Sequence, residues 1–331
     1  MATPINTGRA SEFDLIGRYF RPLATSDAAR DLRDDAAVLS PPSGQSLAVT
    51  VDTVTEGVHF LPNTDPGDIA RKALRVNVSD LAAMGAVPVG YTVALSLTPQ
   101  VDEAWLTGFA RGLQEDQEAF GMALLGGDTT STPGPLSLTI SAFGFVPTGQ
   151  AVPRSGAKPG DALIVTGTIG DAALGLLIES GQGPDLPSSL SAELSDRYLR
   201  PQPRLGLLAH LGQAAHAAID VSDGLIADAG HIAEESGVAI TMQSRSVPMS
   251  QAAVAALEAE PNLLETILTG GDDYEVLAAI DPSSFTDALT WATSKGVRLT
   301  QIGAIETGNG VVVIDADGQP IQVTRSGYQH Q

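Results

Sequence analysis

The chain has 331 residues, of which 43% are hydrophobic, and its formal net charge is −21. This length and composition permit two ordinary domains with sizeable cores, and the negative charge disfavours binding to nucleic-acid backbones. Cysteine is absent, which excludes disulfides, cysteine-ligated metals and thiol nucleophiles. The N-terminal stretch lacks the basic-then-apolar pattern of a signal peptide, and no apolar run reaches the length of a membrane span. We therefore expect a cytoplasmic protein that binds neither nucleic acid nor membranes.

Strand-like and helix-like segments alternate in the first half of the chain. Asp65 and Pro66 form a typical helix start, a capping side chain followed by proline at the first helical position, and Gly85 ends this helix. In the preceding strand, SLAVTVDTV, larger apolar residues alternate with small or polar ones at the two-residue period of a β-strand. The predicted elements are a helix over 11–21, strands over 36–39 and 46–54, a helix over 66–84, a strand over 89–97, a helix over 102–119, and strands over 121–126 and 136–146.

A segment rich in Pro, Gly and small polar residues, 147–161, divides the chain. We place the domain boundary there, with domains over 1–148 and 149–331. The alternation continues beyond the boundary, and it predicts an α/β or α+β protein. The predicted elements of the second half are a strand over 162–167, a helix over 170–180, a loop over 184–189, a helix over 204–216, a strand end over 217–222 and a helix over 223–236.

The helix over 66–84 carries one carboxylate on its apolar side. Asp80 follows Ile69, Ala73 and Val76 at steps of three and four residues, which is the spacing of one helix face. A buried carboxylate near a helix C-terminus is unfavourable unless a cation offsets its charge. On spacing alone, a metal ligand is as good an interpretation of Asp80 as a carboxylate that pairs with an Arg or caps a neighbouring loop. The polar side of the helix is predicted to hold Arg71, Lys72, Arg75 and Ser79.

Further aspartates lie at the edges of apolar segments, where α/β proteins assemble ligand sites. A soluble acidic surface accounts for many carboxylates, but not for those at the ends of buried strands. Carboxylate oxygens with few His and no Cys favour Mg²⁺ over zinc, and several of them together suggest Mg²⁺ ions bridging nucleotide phosphates. For Asp223 alone, a helix N-cap is the better interpretation. The aspartates in question are Asp35, with Asp34 beside it, Asp52, Asp80, Asp128, Asp220 and Asp223.

No P-loop or protein-kinase motif is present, but an ordered set of other motifs covers nearly the whole chain. These motifs are DDAAVL, TVDTVTEGVHF, KALRVNVSDLAAMGAVP, LLGGDTT, RSGAKPGDALIVTGTIGDAALGL, AIDVSDGLIADAGHIAEESG and TGGDDYEVL. By this set the chain resembles the thiamine-monophosphate kinases, within the superfamily of ATP-using synthetases that includes aminoimidazole ribonucleotide synthetase. The combination of TVDTVTEGVHF with NVSDLAAMGA and a GGDDYE segment is its most specific part.

The resemblance implies a two-domain α/β (α+β) subunit of the PurM-like fold. Its N-terminal domain would build a shared β-barrel with the second copy of a homodimer, and its C-terminal α/β domain would cover the active-site cleft. The implied reaction is transfer of a phosphoryl group from ATP to thiamine monophosphate, the last step of thiamine diphosphate biosynthesis. We expect direct in-line transfer assisted by several Mg²⁺ ions, without a phosphoenzyme.

The resemblance also implies roles for individual residues. His59 would donate to the substrate phosphate, and Tyr328 would stack on a ring of thiamine. Three residues depart from the common family pattern: Arg33 replaces glycine, Val51 replaces threonine and would bind metal through its carbonyl, and Asp272 replaces glutamate. The implied Mg²⁺ ligands are Asp35, Thr50, Val51, Asp52, Asp80, Asp128, Asp220 and Asp223. The implied ATP contacts are Gly127, Asp128, Arg154 and Ser222, and the implied substrate contacts are His59, Asp272 and Tyr328.

Other interpretations stay open on sequence alone. His59 can be a polar residue at a strand end, Arg154 an exposed charge near the boundary, and Tyr328 a terminal residue packed on the core. His231 is predicted to lie at the surface, on the polar side of its helix with Asp228. At the level of function, the alternatives are another ATP-using synthetase of the superfamily and a non-catalytic regulator that binds nucleotide or metal.

Overall fold

The computed structural model describes residues 12–328, which form two compact units. Unit 1 comprises Met1–Ser40, Val51–Leu74 and Val89–Ala142, and unit 2 comprises Pro41–Thr50, Arg75–Pro88 and Phe143–Gln331, each as far as the chain is described. The boundary at residue 148 stays a prediction.

Strands and helices alternate, as expected for an α/β or α+β chain. The strands are β1 Gln45–Thr55, β2 Val87–Leu97, β3 Leu124–Ser131, β4 Ser137–Pro147, β5 Ala162–Thr166, β6 Ala215–Asp220, β7 Ala239–Gln243, β8 Val276–Ile280, β9 Leu299–Glu306 and β10 Gly310–Ile314. The helices are α1 Glu12–Leu15, α2 Pro66–Ala83, α3 Glu103–Phe120, α4 Asp171–Glu179, α5 Ser188–Leu199, α6 Leu207–Leu211, α7 Leu225–Ser236, α8 Gln251–Ala259, α9 Leu263–Thr269 and α10 Phe285–Ser294. Among the described residues, no helix combines the length and the apolar character needed to cross a bilayer.

The first sheet has four strands in the order β1-β4-β2-β3. β2 and β3 run parallel, with Val93 opposite Gly127. A parallel pair requires a crossover connection, and α3 provides it. Asp102 begins this helix by accepting a 2.7 Å hydrogen bond from the Trp105 amide. Within residues 12–328 the sheet is open and does not close into a barrel.

The alternation of β1 places its larger apolar residues on an exposed face. Leu47, Val49 and Val51 are 40%, 60% and 60% exposed, whereas Ala48 and Thr50 between them are half-buried. β1 also lies at the edge of its sheet. An apolar face on an edge strand is a typical surface for binding another chain.

The second sheet lies in unit 2 and has the order β10-β7-β9-β5-β8-β6. β10 pairs with β7 in parallel and the other neighbours are antiparallel, so the sheet is mixed. Helices cover both faces. Along β5, Leu163 and Val165 belong to a hydrophobic cluster that includes Leu174 of α4, whereas Ile164 belongs to a second cluster with Leu207 of α6. Burial on both faces explains the continuous apolar run ALIV in this strand.

α2 begins as predicted, but its polar side is more buried than predicted. Asp65 caps the helix by accepting a 2.8 Å hydrogen bond from the Gly67 amide. The apolar residues of the predicted stripe are buried, and Asp80 at its end is half-buried. The assignment of Lys72 and Ser79 to an exposed polar side is wrong, because their side chains are 3% and 0% exposed. Burial extends around the helix instead of following one stripe.

Two predicted elements near the N-terminus differ from the structure. Residues 36–39 form a coil, not a strand; the apolar run is short, and Pro41 and Pro42 follow it after Ser40. The helix predicted over 11–21 is α-helical only in α1, continues as a π-turn over Ile16–Phe20 and ends in a 3₁₀ turn over Arg21–Leu23. Residue 11 lies outside the described part of the chain.

Two differences concern helices of unit 2. The helix predicted over 204–216 is limited to the short α6, because Gly212 starts a 3₁₀ turn and the chain enters β6 at Ala215. The prediction also missed α5, which begins at Ser188 and therefore includes the last two residues of the loop predicted over 184–189. Its first turn is rich in serine, a residue that propensity alone does not favour within helices.

Candidate active site

Unit 1 contains a pocket, here called the unit 1 pocket, that combines an apolar wall with carboxylates. Asp35 and Asp128 both line it, and both side chains are exposed. Its volume is about 210 Å³. Apolar side chains offer a surface for a flat ring, and carboxylate oxygens are suitable ligands for Mg²⁺. The apolar wall includes Ile16, Phe20, Leu95 and Leu124.

Gly127 also lines the unit 1 pocket, and the close pairing of β2 with β3 requires glycine there. A Cβ atom at this position would lie 2.0 Å from the carbonyl oxygen of Val93, which no backbone could accommodate without moving. At Gly126 a Cβ would meet only Thr92 Cγ2, at 3.9 Å. The absence of a side chain at Gly127 therefore lets β3 keep its register up to Asp128.

The turn before Asp35 is strained, but not at Arg33. Arg30, Asp31 and Leu32 have φ angles of 50°, 55° and 52°, in the left-handed region that costs a non-glycine residue about 1–2 kcal/mol. Arg33 has an ordinary φ of −109°. Its backbone does not need glycine, so the departure from the family pattern at this position is compatible with the fold.

Unit 2 contains a second pocket, here called the unit 2 pocket, which brings together several predicted site residues. Thr50 of β1, Asp80 of α2, Arg154 and Asp220 of β6 line it, and its volume is about 280 Å³. The Thr50 hydroxyl donates a hydrogen bond to the Asp80 carboxylate. Two carboxylates and a hydroxyl are the hard oxygen donors that Mg²⁺ prefers, and a guanidinium matches the geometry of a phosphate. The donor set therefore fits a metal–phosphate complex.

A buried serine holds one of these carboxylates. Asp220 is 4% exposed and accepts a 2.7 Å hydrogen bond from the hydroxyl of Ser79, which is 0% exposed. A carboxylate at this depth is unfavourable unless it is hydrogen-bonded or paired with a cation. Ser79 is not among the predicted site residues, because its spacing assigns it to the polar side of α2. Its position directly before Asp80 in the motif NVSD was the available signal.

Asp228 organises the turn that follows Asp220, a role that the sequence analysis did not assign. Its Oδ2 accepts hydrogen bonds from the amides of Ser222, Asp223 and Gly224, at 3.0–3.1 Å. Burial, followed by the charge of Asp223, raises the pKa of the Asp228 carboxyl to about 7. α7 begins at Leu225 with Gly224 as its N-cap. The cap interpretation of Asp223 is therefore wrong, because Asp228 supplies the acceptor.

His231 lies on the same side of α7. It is exposed, as predicted, but the prediction that Asp228 shares its exposed surface is wrong, since Asp228 is 1% exposed. Ligand atoms of Asp223, Asp228 and His231 lie within 4.8 Å of one another. This geometry is compatible with a cation beside Asp223.

Backbone hydrogen bonds bring two predicted substrate contacts next to this turn. The Asp272 amide donates to the Ser222 carbonyl, and the Tyr328 amide donates to the Asp223 carbonyl, both at 2.9 Å. Asp272 has a φ of 73°. Asp adopts this left-handed conformation more readily than most residues, because its short polar side chain can bond locally. The structure therefore gives a backbone reason for aspartate at this position.

A buried ion cluster supports the loop that carries Asp272. Glu275 is 0% exposed, and its carboxylate accepts two hydrogen bonds from Arg204 and one from Arg197, all at 2.6 Å. Thr166 of β5 adds a fourth bond at 2.7 Å. Asp272 of the GGDDYE segment is a predicted site residue, whereas Glu275 of the same segment is not. The signal was a glutamate directly before the buried strand β8.

The remaining predicted residues lie on or after β1, in unit 1. Val51 is 60% exposed, and Asp52 is half-buried. His59 follows the strand, and its Nδ1 accepts a 3.1 Å hydrogen bond from the Thr55 amide. In a neutral imidazole the proton then resides on Nε2. The structure thus favours a tautomer of His59 in which Nε2–H is the donor.

The family described as AIR synthase related protein, N-terminal domain, matches residues 33–146, and its C-terminal counterpart matches residues 158–316. The thiamine-monophosphate kinase of Escherichia coli strain K12 is 44% identical over 322 residues, which cover 96% of this chain and 98% of the relative. The chain belongs to the thiamine-monophosphate kinase family. This assignment confirms the resemblance in the motifs and the prediction of a kinase.

Solved structures agree with this assignment. A crystal structure of thiamine-monophosphate kinase from Stenotrophomonas maltophilia K279a is 42% identical, with a TM-score of 0.82 over 91% of this chain and 94% of the other. A structure described as AaThiL complexed with AMPPCP and TMP is 30% identical, with a TM-score of 0.77 over 97% of both chains. The two-domain fold is therefore that of the family.

Proposed function

We propose that this chain transfers the γ-phosphoryl group of ATP to thiamine monophosphate, forming thiamine diphosphate and ADP. This would be the last step of thiamine diphosphate biosynthesis, in the cytoplasm. The observation that carries the proposal is the unit 2 pocket, where Thr50, Asp80, Arg154 and Asp220 converge from separate stretches of the chain. The relative that binds AMPPCP, an analogue of ATP, together with TMP supports both substrates.

The proposed cofactor is Mg²⁺, held at several positions. Thr50, Asp80 and Asp220 would hold it in the unit 2 pocket, and Asp35 and Asp128 would hold it in the unit 1 pocket. Bound Mg²⁺ would offset the repulsion between two polyanionic substrates and the charge that develops on the transferred group. The further proposed ligands are the carbonyl of Val51 and the carboxylates of Asp52 and Asp223.

The unit 1 pocket is the proposed site of the ATP base. Its wall offers apolar side chains to a flat ring, and Gly127 and Asp128 continue from this wall along β3. Arg154 would bind phosphate oxygens through its guanidinium, and Ser222 would add a further contact to ATP. Arg154 lies in a segment fixed on both sides, by the bond from the Ala218 amide to Pro153 and by the bond from the Gly156 amide to the Ser236 hydroxyl.

The acceptor needs little help from a general base. A phosphate monoester has a second pKa of about 6, so its oxygens are mostly ionised at neutral pH. His59 would orient this phosphate by donating from Nε2–H, and Asp272 would contact the substrate from its left-handed turn. Tyr328, 45% exposed, would stack on the thiazolium or pyrimidine ring.

We propose direct in-line transfer, because the phosphate of thiamine monophosphate can attack the γ-phosphorus of ATP and no side chain is needed to carry the phosphoryl group. Transfer from ATP with a chiral γ-phosphate should invert the configuration at phosphorus. Retention would contradict the in-line mechanism and indicate a phosphoenzyme.

The proposed assembly is a homodimer in which the first sheet contributes to a barrel shared by two copies. The exposed face of β1, formed by Leu47, Val49 and Val51, supports this assembly. Solvent contact with three large apolar side chains on an edge strand favours a partner that covers them.

Steady-state release of ADP tests the proposed function directly. The purified protein should consume ATP only when Mg²⁺ and thiamine monophosphate are both present, and unphosphorylated thiamine should not replace the acceptor. Activity with a different phosphorylated acceptor would favour another synthetase of the superfamily. Nucleotide binding without turnover of any acceptor would favour a regulator.

A further inference from the structure

The last described segment of the chain, residues 321–328, is here called the C-terminal strap. It begins beside β10, where the Ile321 amide donates a 2.8 Å hydrogen bond to a carbonyl of that strand. Ile321 and Val323 pack against the hydrophobic core of unit 2. The strap ends at the turn before α7, where the Tyr328 amide donates to the Asp223 carbonyl at 2.9 Å. It therefore connects the core to the proposed substrate site.

Glu265 of α9 fastens the middle of the strap. Its Oε1 accepts hydrogen bonds from the Thr324 amide at 2.6 Å and from the Thr324 hydroxyl at 2.5 Å. The bond from the hydroxyl, followed by that from the amide, holds the pKa of the Glu265 carboxyl below its ordinary value. The carboxylate is therefore ionised at neutral pH, which strengthens both bonds.

Gly327 sets how closely the strap approaches α7. A Cβ atom there would lie 2.5 Å from Ala227 Cβ and 2.7 Å from the carbonyl oxygen of Asp223. Any larger residue must therefore push the strap away from the turn. Because Tyr328 is the next residue, this displacement would move its ring as well.

The strap contributes little to the core beyond Val323. Residues 324–326 are exposed, and Gly327 has no side chain to bury. The hydrogen bonds of Thr324 and the close approach of Gly327 therefore fix the position of the strap without burying additional apolar surface.

We propose that Glu265 and Gly327 are positioning residues for Tyr328. Glu265 holds the strap against α9, Gly327 sets its distance from the turn before α7, and together they present the aromatic ring of Tyr328 to thiamine monophosphate. This inference rests on the proposed function, which makes Tyr328 a substrate contact.

Steady-state kinetics of Glu265→Ala and Gly327→Ala test this proposal. The KM for thiamine monophosphate should rise between about 2-fold and about 30-fold, the range that corresponds to losing one aromatic–cation contact. In Glu265→Ala the KM for ATP and kcat should stay within about 2-fold, because Glu265 binds the strap at Thr324. Glu260→Ala is the matched control, since Glu260 is an exposed glutamate just before α9.

Two further measurements separate positioning from general damage. Hydrogen exchange should become faster at the amides of Thr324 and Tyr328 in Glu265→Ala, while exchange in α7 stays unchanged. In a Tyr328→Ala background, Glu265→Ala should add nothing to the KM for thiamine monophosphate, because it acts only through the ring.

An unchanged KM for thiamine monophosphate in an active Glu265→Ala variant overturns the positioning role. A parallel rise of both KM values, or an additive effect on Tyr328→Ala, overturns it as well and indicates a structural role. A wild-type chain that forms no ADP with thiamine monophosphate overturns the proposed function, and with it the assignment of Tyr328.

Discussion

Ser79 donates a 2.7 Å hydrogen bond to Asp220, which links α2 to the end of β6 inside unit 2. Both side chains are buried. Ser79 directly precedes the proposed ligand Asp80, and Asp220 lies two residues before the proposed ATP contact Ser222. A carboxylate oriented in this way can hold a cation without rearranging. The hydroxyl of Ser79 therefore orients a carboxylate that we propose as a ligand of Mg²⁺ in the unit 2 pocket.

Ser79→Ala should weaken the binding of Mg²⁺ more than it weakens the fold. Loss of a hydrogen bond to a metal ligand typically costs about 10–100-fold in metal affinity or activity. We expect that loss in a Mg²⁺ titration of ATP turnover, together with about 1–3 kcal/mol of stability in urea unfolding. Ser180→Ala, at the exposed end of α4, is the control and should leave both unchanged. An unaltered Mg²⁺ titration in Ser79→Ala would contradict the role of this bond.

Asp35→Asn should lower kcat by at least about 100-fold, because it removes a proposed metal ligand from the unit 1 pocket. The adjacent Asp34→Asn offers a matched comparison. Asp34 forms an exposed ion pair with Arg30 at 3.5 Å, and such pairs contribute little, so its kcat should stay within about 2-fold. Circular dichroism should show that both variants are folded. Equal losses in the two variants would argue against a specific role for Asp35.

Gly127→Ala should destabilise the first sheet, since the added methyl group would meet the Val93 carbonyl. We expect a loss of about 1–3 kcal/mol in urea unfolding, as for other overpacked sites, and weaker ATP binding by calorimetry. The neighbouring Gly126→Ala places its methyl group at an ordinary contact distance and should keep both properties. Similar behaviour of the two alanine variants would show that close pairing with β2 does not restrict residue 127.

Asp228 should make stability depend on pH in the direction opposite to an ordinary aspartate. Its pKa is about 7 in the folded chain against 3.8 ordinarily, so the folded state binds more protons between these values. The stabilising contribution is therefore complete below about pH 4 and is lost as the pH rises through about 7.

Urea unfolding in EDTA, from about pH 5 to about pH 8, measures this effect. The free energy of unfolding of the wild type should fall by a few kcal/mol relative to that of Asp228→Asn, which stays neutral throughout. EDTA keeps cations away from the neighbouring Asp223. A difference between the two proteins that is constant with pH, or that grows in favour of the wild type, would contradict the raised pKa.

Val49→Lys should dissociate the proposed homodimer, because it puts a charge on the apolar face of β1. Sedimentation equilibrium should give the mass of a dimer for the wild type and of a monomer for the variant. Val312→Lys is the control: Val312 is 44% exposed on β10, an edge strand of the second sheet, and the variant should stay dimeric. A monomeric wild type at micromolar concentration would contradict the assembly.

Local patterns predicted the elements whose burial is periodic. Hydrophobic periodicity, together with the residues that start and stop helices, predicted the cap at Asp65, the length of α2 and most strands. The positions of aspartates at the edges of apolar segments also indicated residues that line the two pockets. The positions of Asp35, Asp128, Asp80 and Asp220 agree with that signal.

The features that the sequence did not predict depend on tertiary contacts. Ser79 and Lys72 are buried because α2 is covered on several sides, which one helical stripe cannot reveal. Asp228 serves a turn four to six residues earlier in the chain, and Glu265 holds Thr324 from a distant helix. The alternating pattern of β1 is the same as that of a strand whose apolar face is buried, so the sequence does not show that this face is exposed. In each case the residue or surface that determines the role is one that a local periodic pattern in the sequence does not reveal.

The fate of a labelled γ-phosphate tests the proposed phosphoryl transfer directly. ATP labelled in that group should be incubated with Mg²⁺, thiamine monophosphate and the wild-type chain, and the products separated by chromatography. We predict that the label appears in thiamine diphosphate in a one-to-one ratio with ADP and that Asp35→Asn abolishes this transfer. Label that appears only in inorganic phosphate, or in no product at all, would contradict the account.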